Sequence, residues 1–491
     1  MLLALLICLY LGVTLGLGLL AQRRVKNARD FMLAGQQLPL FMVVTTSFAT
    51  WFASETLLGV PAKVLEGGLA ETVEDPYGAG FGLVLVGMFF ASRLYRLRLL
   101  TIGDFYRRRY GQGIEVFAST VICLSYLGWV AAQITALGLV LEVLTQGFLS
   151  TADGMVVGTV VVLIYTALGG MWSIALADLF QMTVMVLGLT VIAVLAGQSA
   201  GGAEAVWAEA QHRDLLRFFP EGDVTAWLAW IAAAITLMIG SIPQQDVFQR
   251  VMAARDERTA RLGPIIGGSA YMAFAAVPIF LGVAAMMVVP SAETLLAEDG
   301  EQLIPTLVLT TMPLALQVLF FGALLSAIMS TASATLLAPT TTLVENILMN
   351  VVPAVAQHRL RVLRWTLAFF ALAVLIYARA MEGTPIYDLV GKAYQFPVVA
   401  AFWPLALGLY WAKASRKGAL CSIGAGLGVW GFLEFTAYGL AMPSVLGGFL
   451  AGGLGMVLGS LRWPSTGISC ASFPRATSPL GSPGLPRPSR S

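Results

Sequence analysis

Long apolar runs of about 20 residues, separated by short polar connections, recur along the whole chain, and that is the length a helix needs to cross a bilayer. At that spacing helices are predicted near residues 2–20, 38–61, 72–92, 115–145, 153–169, 174–197, 225–247, 265–289, 303–349, 361–380, 385–411, 417–437 and 443–461, thirteen in all. The polar connections are uneven in charge. Arg23, Arg24, Lys26 and Arg29 follow the first run instead of preceding it, which argues against a cleaved leader and for a first helix with its N-terminus outside. Alternating sides from there puts the basic segments 93–109, 250–261, 359–364 and 413–417 and the tail inside. With Arg23, Arg24, Lys26 and Arg29 of the first connection counted inside as well, only Lys63, Arg213, Arg217, Arg379 and Lys392 of the 29 Lys and Arg stay out of that set. The two longest outer connections, 198–223 and 291–302, are acid-rich, so an odd helix count with a cytoplasmic C-terminus fits the positive-inside rule.

Composition agrees with the pattern. The chain is 58% hydrophobic and 11% charged, with a mean hydropathy of +0.82, which places it among polytopic membrane proteins of the cell membrane, with the lipid bilayer as its solvent. Cys8, Cys123, Cys421 and Cys470 have no metal or disulfide spacing, and His212 and His358 both fall in connections. No nucleophile motif, metal cluster or phosphate loop is present, so neither an enzyme, a bound cofactor nor a nucleic-acid partner is expected. Oligomeric state leaves no mark in the sequence. Beyond Trp463 the chain turns to Pro, Ser, Gly and Arg, a composition that buries no core, and 463–491 is expected to be a disordered cytoplasmic tail.

Three runs carry more polarity than lipid tolerates. Residues 321–346, FGALLSAIMSTASATLLAPTTTLVEN, are rich in Ser and Thr; at helical spacing the Ala327 carbonyl and the Ser330 and Thr331 hydroxyls share one patch. Hard oxygens without a carboxylate suit a weakly held monovalent cation, whereas the plainer reading makes the same hydroxyls bond back to the helix or glue it to a neighbour. The second helix carries Thr, Ser and Glu55 at its middle and reaches Pro61; the seventh carries Gly240, Ser241 and Pro243 beside Gln244 and Gln245. Both are expected to unwind locally. Helices 2–6 and 7–11 form two sets of five, and broken helices at matching places in two halves point to an inverted-repeat transporter. The expected organisation is therefore an all-α membrane protein with a first helix (1–22) outside the core, a first repeat (38–197), a second repeat (225–411), two accessory helices (417–462) and the tail.

At these residues the chain resembles the sodium:solute symporter family. GTVVVLIYTALGGMWSIALADLFQ (158–181) is similar to the family signature, SAIMSTASATLL to its ion-binding helix, LPLFMVVTTSFATWFASETLLGVP to its first core helix and SIPQQDVFQR to the first helix of its second repeat. The resemblance covers nearly all of the chain to about residue 420. It implies a ten-helix inverted-repeat core of the leucine-transporter type and alternating access driven by inward sodium flow. It also implies a sodium site of Ala49, Phe52 and Ala327 carbonyls with the Ser330 and Thr331 hydroxyls. Asp178 matches a family acid that receives the ion on its path; its plainer role is a helix cap or a surface partner of a basic loop.

The solute is less legible. Trp51 stands where the proline branch of the family has an aspartate, and WVAAQITALG (129–138) is similar to the choline branch, yet Ala79 and Gln244 occupy two of that branch's aromatic positions. Trp51, Ser54, Glu55, Trp129, Gln133, Gln244, Gln245, Lys392, Tyr394 and Gln395 are the candidate solute contacts, a mixture of indole, amide and charge. Glu55 and Lys392 are ionisable groups inside predicted spans; either they pair across an outer vestibule, or take opposite ends of a substrate, or face water separately. The function expected is sodium-coupled import of a small organic solute: amino acid, carboxylate or organic cation. The alternatives are a transporter-like nutrient sensor, or a proton-coupled or uncoupled carrier of the same fold.

Overall fold

The computed structural model describes residues 24–352 and 357–464, with scattered positions among residues 3–20. About half of the predicted first helix and nearly all of the tail lie outside the described residues. Among the described residues every regular element is helical, and the only β pairing is an isolated bridge between Leu38 and Ala254.

The helices that build the body are α1 (Leu40–Trp51) and α2 (Val60–Gly67), α3 (Leu69–Arg96), α4 (Ile102–Tyr110) and α5 (Gln112–Thr145), α6 (Thr151–Ile164) and α7 (Gly170–Ser199). They continue with α8 (Val224–Gly240) and α9 (Gln245–Ala253), α10 (Glu257–Val288) and α11 (Leu314–Val351), α12 (Arg359–Ala380) and α13 (Ile386–Tyr410), α14 (Arg416–Glu434) and α15 (Ser444–Arg462). Among the described residues eight helices are long and apolar enough to cross a membrane, nine when α8 and α9 count as one bent span. The count of thirteen is not reached on that measure, partly because α1 stops at the break after Trp51.

Each interruption has a local cause. After Trp51 the backbone leaves the helix at Phe52 (φ −79°, ψ 71°) and resumes in a wide turn over Glu55–Gly59. The seventh predicted helix bends by 45° between Gly240 and Gln245, where Pro243 removes a backbone donor. Asp75 takes an extended conformation ahead of Pro76, a break in α3 that the apolar pattern does not announce. Gly170 separates α6 from α7 with φ 55° and ψ −156°, and a Cβ there would meet the Phe31 carbonyl at 2.4 Å. The predicted run 303–349 divides: Leu303–Thr311 is a helix of its own, Pro313 caps the next, and α11 begins at Leu314.

Contacts sort the connections to two ends. At one end Leu38 pairs with Ala254, Arg96 with Glu257, Arg107 with Asn350, and Arg109 with the Trp411 and Ala412 carbonyls. This is the Arg- and Lys-rich end. At the other, Leu69 bonds the Leu215 carbonyl, Arg213 pairs with Glu293, Lys63 with Asp388, and Arg379 bonds the Ala152 carbonyl. Between them the helices approach closely where glycine permits it. On α10, a Cβ at Gly263 would meet Val43 at 2.3 Å and one at Gly267 would meet Ser47 and Val44 at 2.8 Å, so α10 lies directly on α1.

Candidate ion and solute site

The break in α1 frees a backbone oxygen. In an unbroken helix the Ala53 N–H would go to the Ala49 carbonyl four residues back. With Phe52 turned out of helical geometry, that N–H bonds the Trp51 carbonyl at 2.9 Å instead. The Ala49 carbonyl instead takes the Thr331 hydroxyl of α11, which donates at 3.3 Å. One residue away, the Ser330 hydroxyl donates to Asp178 Oδ1 at 2.6 Å, and Thr46 of α1 donates to Asp178 Oδ2 at 2.5 Å. Asp178 is fully buried, so it is neither a helix cap nor a surface partner. It ties α1, α7 and α11 together beside the carbonyl and hydroxyl patch. Ala327 lies one turn before Thr331 on the same helix, and Phe52 is the residue at which α1 opens; all five oxygen-bearing residues proposed from the sequence are buried.

Arg250 of α9 closes one side of this cluster. Its Nε donates to the Thr46 carbonyl at 3.0 Å and its Nη1 reaches Asp246 Oδ2 at 3.3 Å, while Tyr126 donates to Asp246 Oδ1 at 2.5 Å. Neither Asp246 nor Arg250 was singled out in the sequence, although both follow the second broken helix inside SIPQQDVFQR.

On the other side of Trp51 lies a second cluster. The Trp51 and Trp129 rings stack at 5.0 Å, Tyr394 of α13 meets them at 5.2 and 5.5 Å, and Tyr126 stacks on Trp129 at 6.0 Å. Glu55 sits at its edge, fully buried, accepting from Gln133 Nε2 at 2.8 Å and Trp129 Nε1 at 3.2 Å; the Ser54 hydroxyl lies 3.1 Å from it and 3.0 Å from Gln133 Oε1. The structure therefore brings Trp51, Ser54, Glu55, Trp129, Gln133 and Tyr394 together.

Four candidates behave differently. Lys392 is exposed and makes no ion pair with Glu55, whose carboxylate turns inward to α5; direct pairing of the two is not what the structure has. Lys392 instead lines a cavity of about 500 Å³ with Glu74, Asp388, Gln395 and Glu434. Gln245 Oε1 accepts the Ile102 N–H at 2.8 Å, which holds the start of α4 and takes that amide away from the cluster. Gln395 Oε1 accepts from Trp430 Nε1 at 3.0 Å, joining α13 to α14. Gln244 donates to Ser125 at 2.9 Å and leaves its Oε1 without a partner.

Asp75 was missed by sequence reasoning. It is buried, accepts from the Tyr271 hydroxyl at 2.5 Å, and Tyr271 lies 2.7 Å from the Thr56 hydroxyl. An acid inside an apolar run was the available signal, the same that picked out Glu55.

The model of the sodium:solute symporter family matches residues 31–426. The chain belongs to that family. A sodium/pantothenate symporter of Haemophilus influenzae is 24% identical over 95% of this chain and 98% of its own length. A high-affinity choline transporter of Caenorhabditis elegans is 23% identical over 84% of this chain and 74% of its own length. The solved structure of a sodium-coupled sialic acid symporter, in a substrate-bound outward-open state, superposes with a TM-score of 0.79 at 18% identity, covering 94% of this chain and 98% of that one. This symporter-family chain is thus a multi-pass membrane transporter, not an enzyme, with a fold shared by sodium-coupled carriers.

Proposed function

We propose that the chain is a secondary active symporter of the cell membrane that couples inward sodium flow to import of a small organic solute. The observation that carries this reading is the freed Ala49 carbonyl meeting the Thr331 hydroxyl across α1 and α11. Three carbonyls, from Ala49, Phe52 and Ala327, and two hydroxyls, from Ser330 and Thr331, supply hard oxygens suited to sodium, and Asp178 supplies a nearby negative charge. Because these ligands sit on two separate helices, sodium favours the arrangement in which α1 and α11 are held together, and its release allows them to part. The solute sits on the far side of Trp51, among Trp51, Ser54, Glu55, Trp129, Gln133, Gln244 and Tyr394.

The proposed architecture is thirteen spans around a five-plus-five inverted-repeat core, 38–197 and 225–411, with 1–22 before it and 417–462 after it. The N-terminus is outside and the C-terminus cytoplasmic, supported by the gathering of Arg and Lys connections at one end. The solute is an amino acid, a carboxylate or an organic cation. Uptake of a radiolabelled metabolite panel into vesicles carrying the protein, under an inward sodium gradient and under potassium at several pH values, tests the coupling. Sodium-dependent accumulation supports it; accumulation that follows the pH gradient and ignores sodium replaces it with proton coupling.

A further inference from the structure

We propose that the groove between α6 and α12, at the Arg- and Lys-rich end, binds an anionic phospholipid. Lys26, Arg361 and Arg364 hold its phosphate and the two helices carry its acyl chains. The groove shares no residue with the ion and solute site. It is a cavity of about 870 Å³ whose lining includes Lys26, Arg359, Arg361 and Arg364 and no Asp or Glu among the described residues. Arg359 is neutralised by Glu345, whereas among the described residues no ion pair is made by Lys26, Arg361 or Arg364. Three positive charges are therefore left on one concave surface. Residues 1–23 and 464–491 contain no Asp or Glu either, so they supply no counter-charge. The complement of such a surface is an anion from outside the chain.

The placement of these bases says which anion. Arg361, Arg364, Trp365 and Ala368 recur at i, i+3, i+4 and i+7, so one face of α12 lines the groove. α12 runs antiparallel to α6: near its far end Arg379 donates to the Ala152 carbonyl at 3.1 Å, while Arg361 and Arg364 share the groove with Leu163 and Ile164. From that basic end an apolar stripe leads along each helix toward the bilayer interior. On α6 it is Ile164, Val160 and Val157, and on α12 it is Trp365, Phe369 and Leu372, all exposed. Each stripe starts at a residue of the groove and continues at helical spacing. A soluble phosphate uses only the bases; a phospholipid uses the bases and both stripes. Guanidinium groups pair with phosphate oxygens in a fixed fork, and an indole such as Trp365 suits the headgroup level. Basic pockets between membrane helices recognise anionic headgroups in this way.

The test is native mass spectrometry of the purified full-length protein in detergent, titrated with phosphatidylglycerol or phosphatidylcholine of identical acyl chains. The wild-type protein is expected to bind phosphatidylglycerol at least about tenfold more tightly, since each base beside an anionic headgroup contributes roughly a fivefold preference. R361Q/R364Q is expected to lose that preference. R258Q/K413Q removes the same charge from exposed positions at the same end but outside the groove, and is expected to keep it. The proposal is overturned if the wild type does not prefer phosphatidylglycerol or if R361Q/R364Q still does. It is equally overturned if R258Q/K413Q loses the preference to the same extent, which would mean a diffuse field in place of a site. Displacement of the lipid by an equal concentration of inorganic phosphate or glycerol 3-phosphate overturns it too, because the stripes would then contribute nothing. Should R361Q/R364Q not fold, K26Q decides in the same titration: a several-fold loss confined to phosphatidylglycerol supports the site, and unchanged binding overturns it.

Discussion

Ser330 on α11 donates its hydroxyl to Asp178 on α7 at 2.6 Å, and the second carboxylate oxygen is held by Thr46 on α1. A single buried acid thus joins three helices beside the proposed sodium ligands.

Replacing Asp178 by Asn keeps the shape but removes the charge. A hydrogen bond to a charged group contributes about 1.5–3 kcal/mol, so D178N is expected to weaken apparent sodium affinity by about tenfold or more. A sodium titration of the melting temperature reads this; an unchanged midpoint would show that Asp178 has only a packing role.

Gly267 tests the contact of α10 with α1. A Cβ at that position would meet Ser47 and Val44 at 2.8 Å, whereas at Gly424 of α14 it meets nothing within 4 Å. Overpacking typically costs about 1–3 kcal/mol, so G267A should lower the melting temperature by several degrees, with G424A neutral or stabilising. Equal behaviour of the two variants contradicts the packing described.

Glu301 lies between α10 and α11, where burial pushes its carboxyl up to about 8, and it accepts the Ile386 N–H at 2.6 Å. A folded-state value above the unfolded one means that the folded protein holds the proton more tightly. That stabilisation is full at pH below the ordinary glutamate range and is lost as pH rises toward 8. The melting temperature is expected to fall across that window, and E301Q to flatten the decline. A wild-type curve no steeper than that of E301Q contradicts this assignment.

Much of the proposed ion site could be suggested from sequence because its chemistry is local. The hydroxyls of Ser330 and Thr331 and the carbonyl of Ala327 are one turn apart on one helix, and Gly240, Ser241 and Pro243 announce their own bend. The candidate solute site is less legible because its members meet across helices far apart in the chain: Glu55 takes partners from α5, and Tyr394 reaches Trp51 from α13. Nothing in the sequence says that Gln245 turns back to hold α4 or that Gln395 faces Trp430, since an amide on a helix offers the same signal in either direction. Lys392 shows the same limit. Its position inside a predicted span suggests a partner for Glu55, but burial depends on which face of α13 it occupies, and that face opens to the cavity it shares with Glu74, Asp388 and Glu434. Asp75 and the break beside it were overlooked within a run read as one continuous helix.

The central claim is that sodium binds between the opened backbone of α1 and the hydroxyl pair of α11. The most direct measurement is the sodium titration of the melting temperature for the wild-type protein and the S330A/T331A double variant, with potassium as the control. The account predicts a sodium-specific rise in the wild type that is absent or shifted at least about tenfold in the double variant, the loss expected when two ion-ligating oxygens worth about 1.4 kcal/mol or more together are removed. A double variant that folds and responds to sodium with the wild-type midpoint would contradict it.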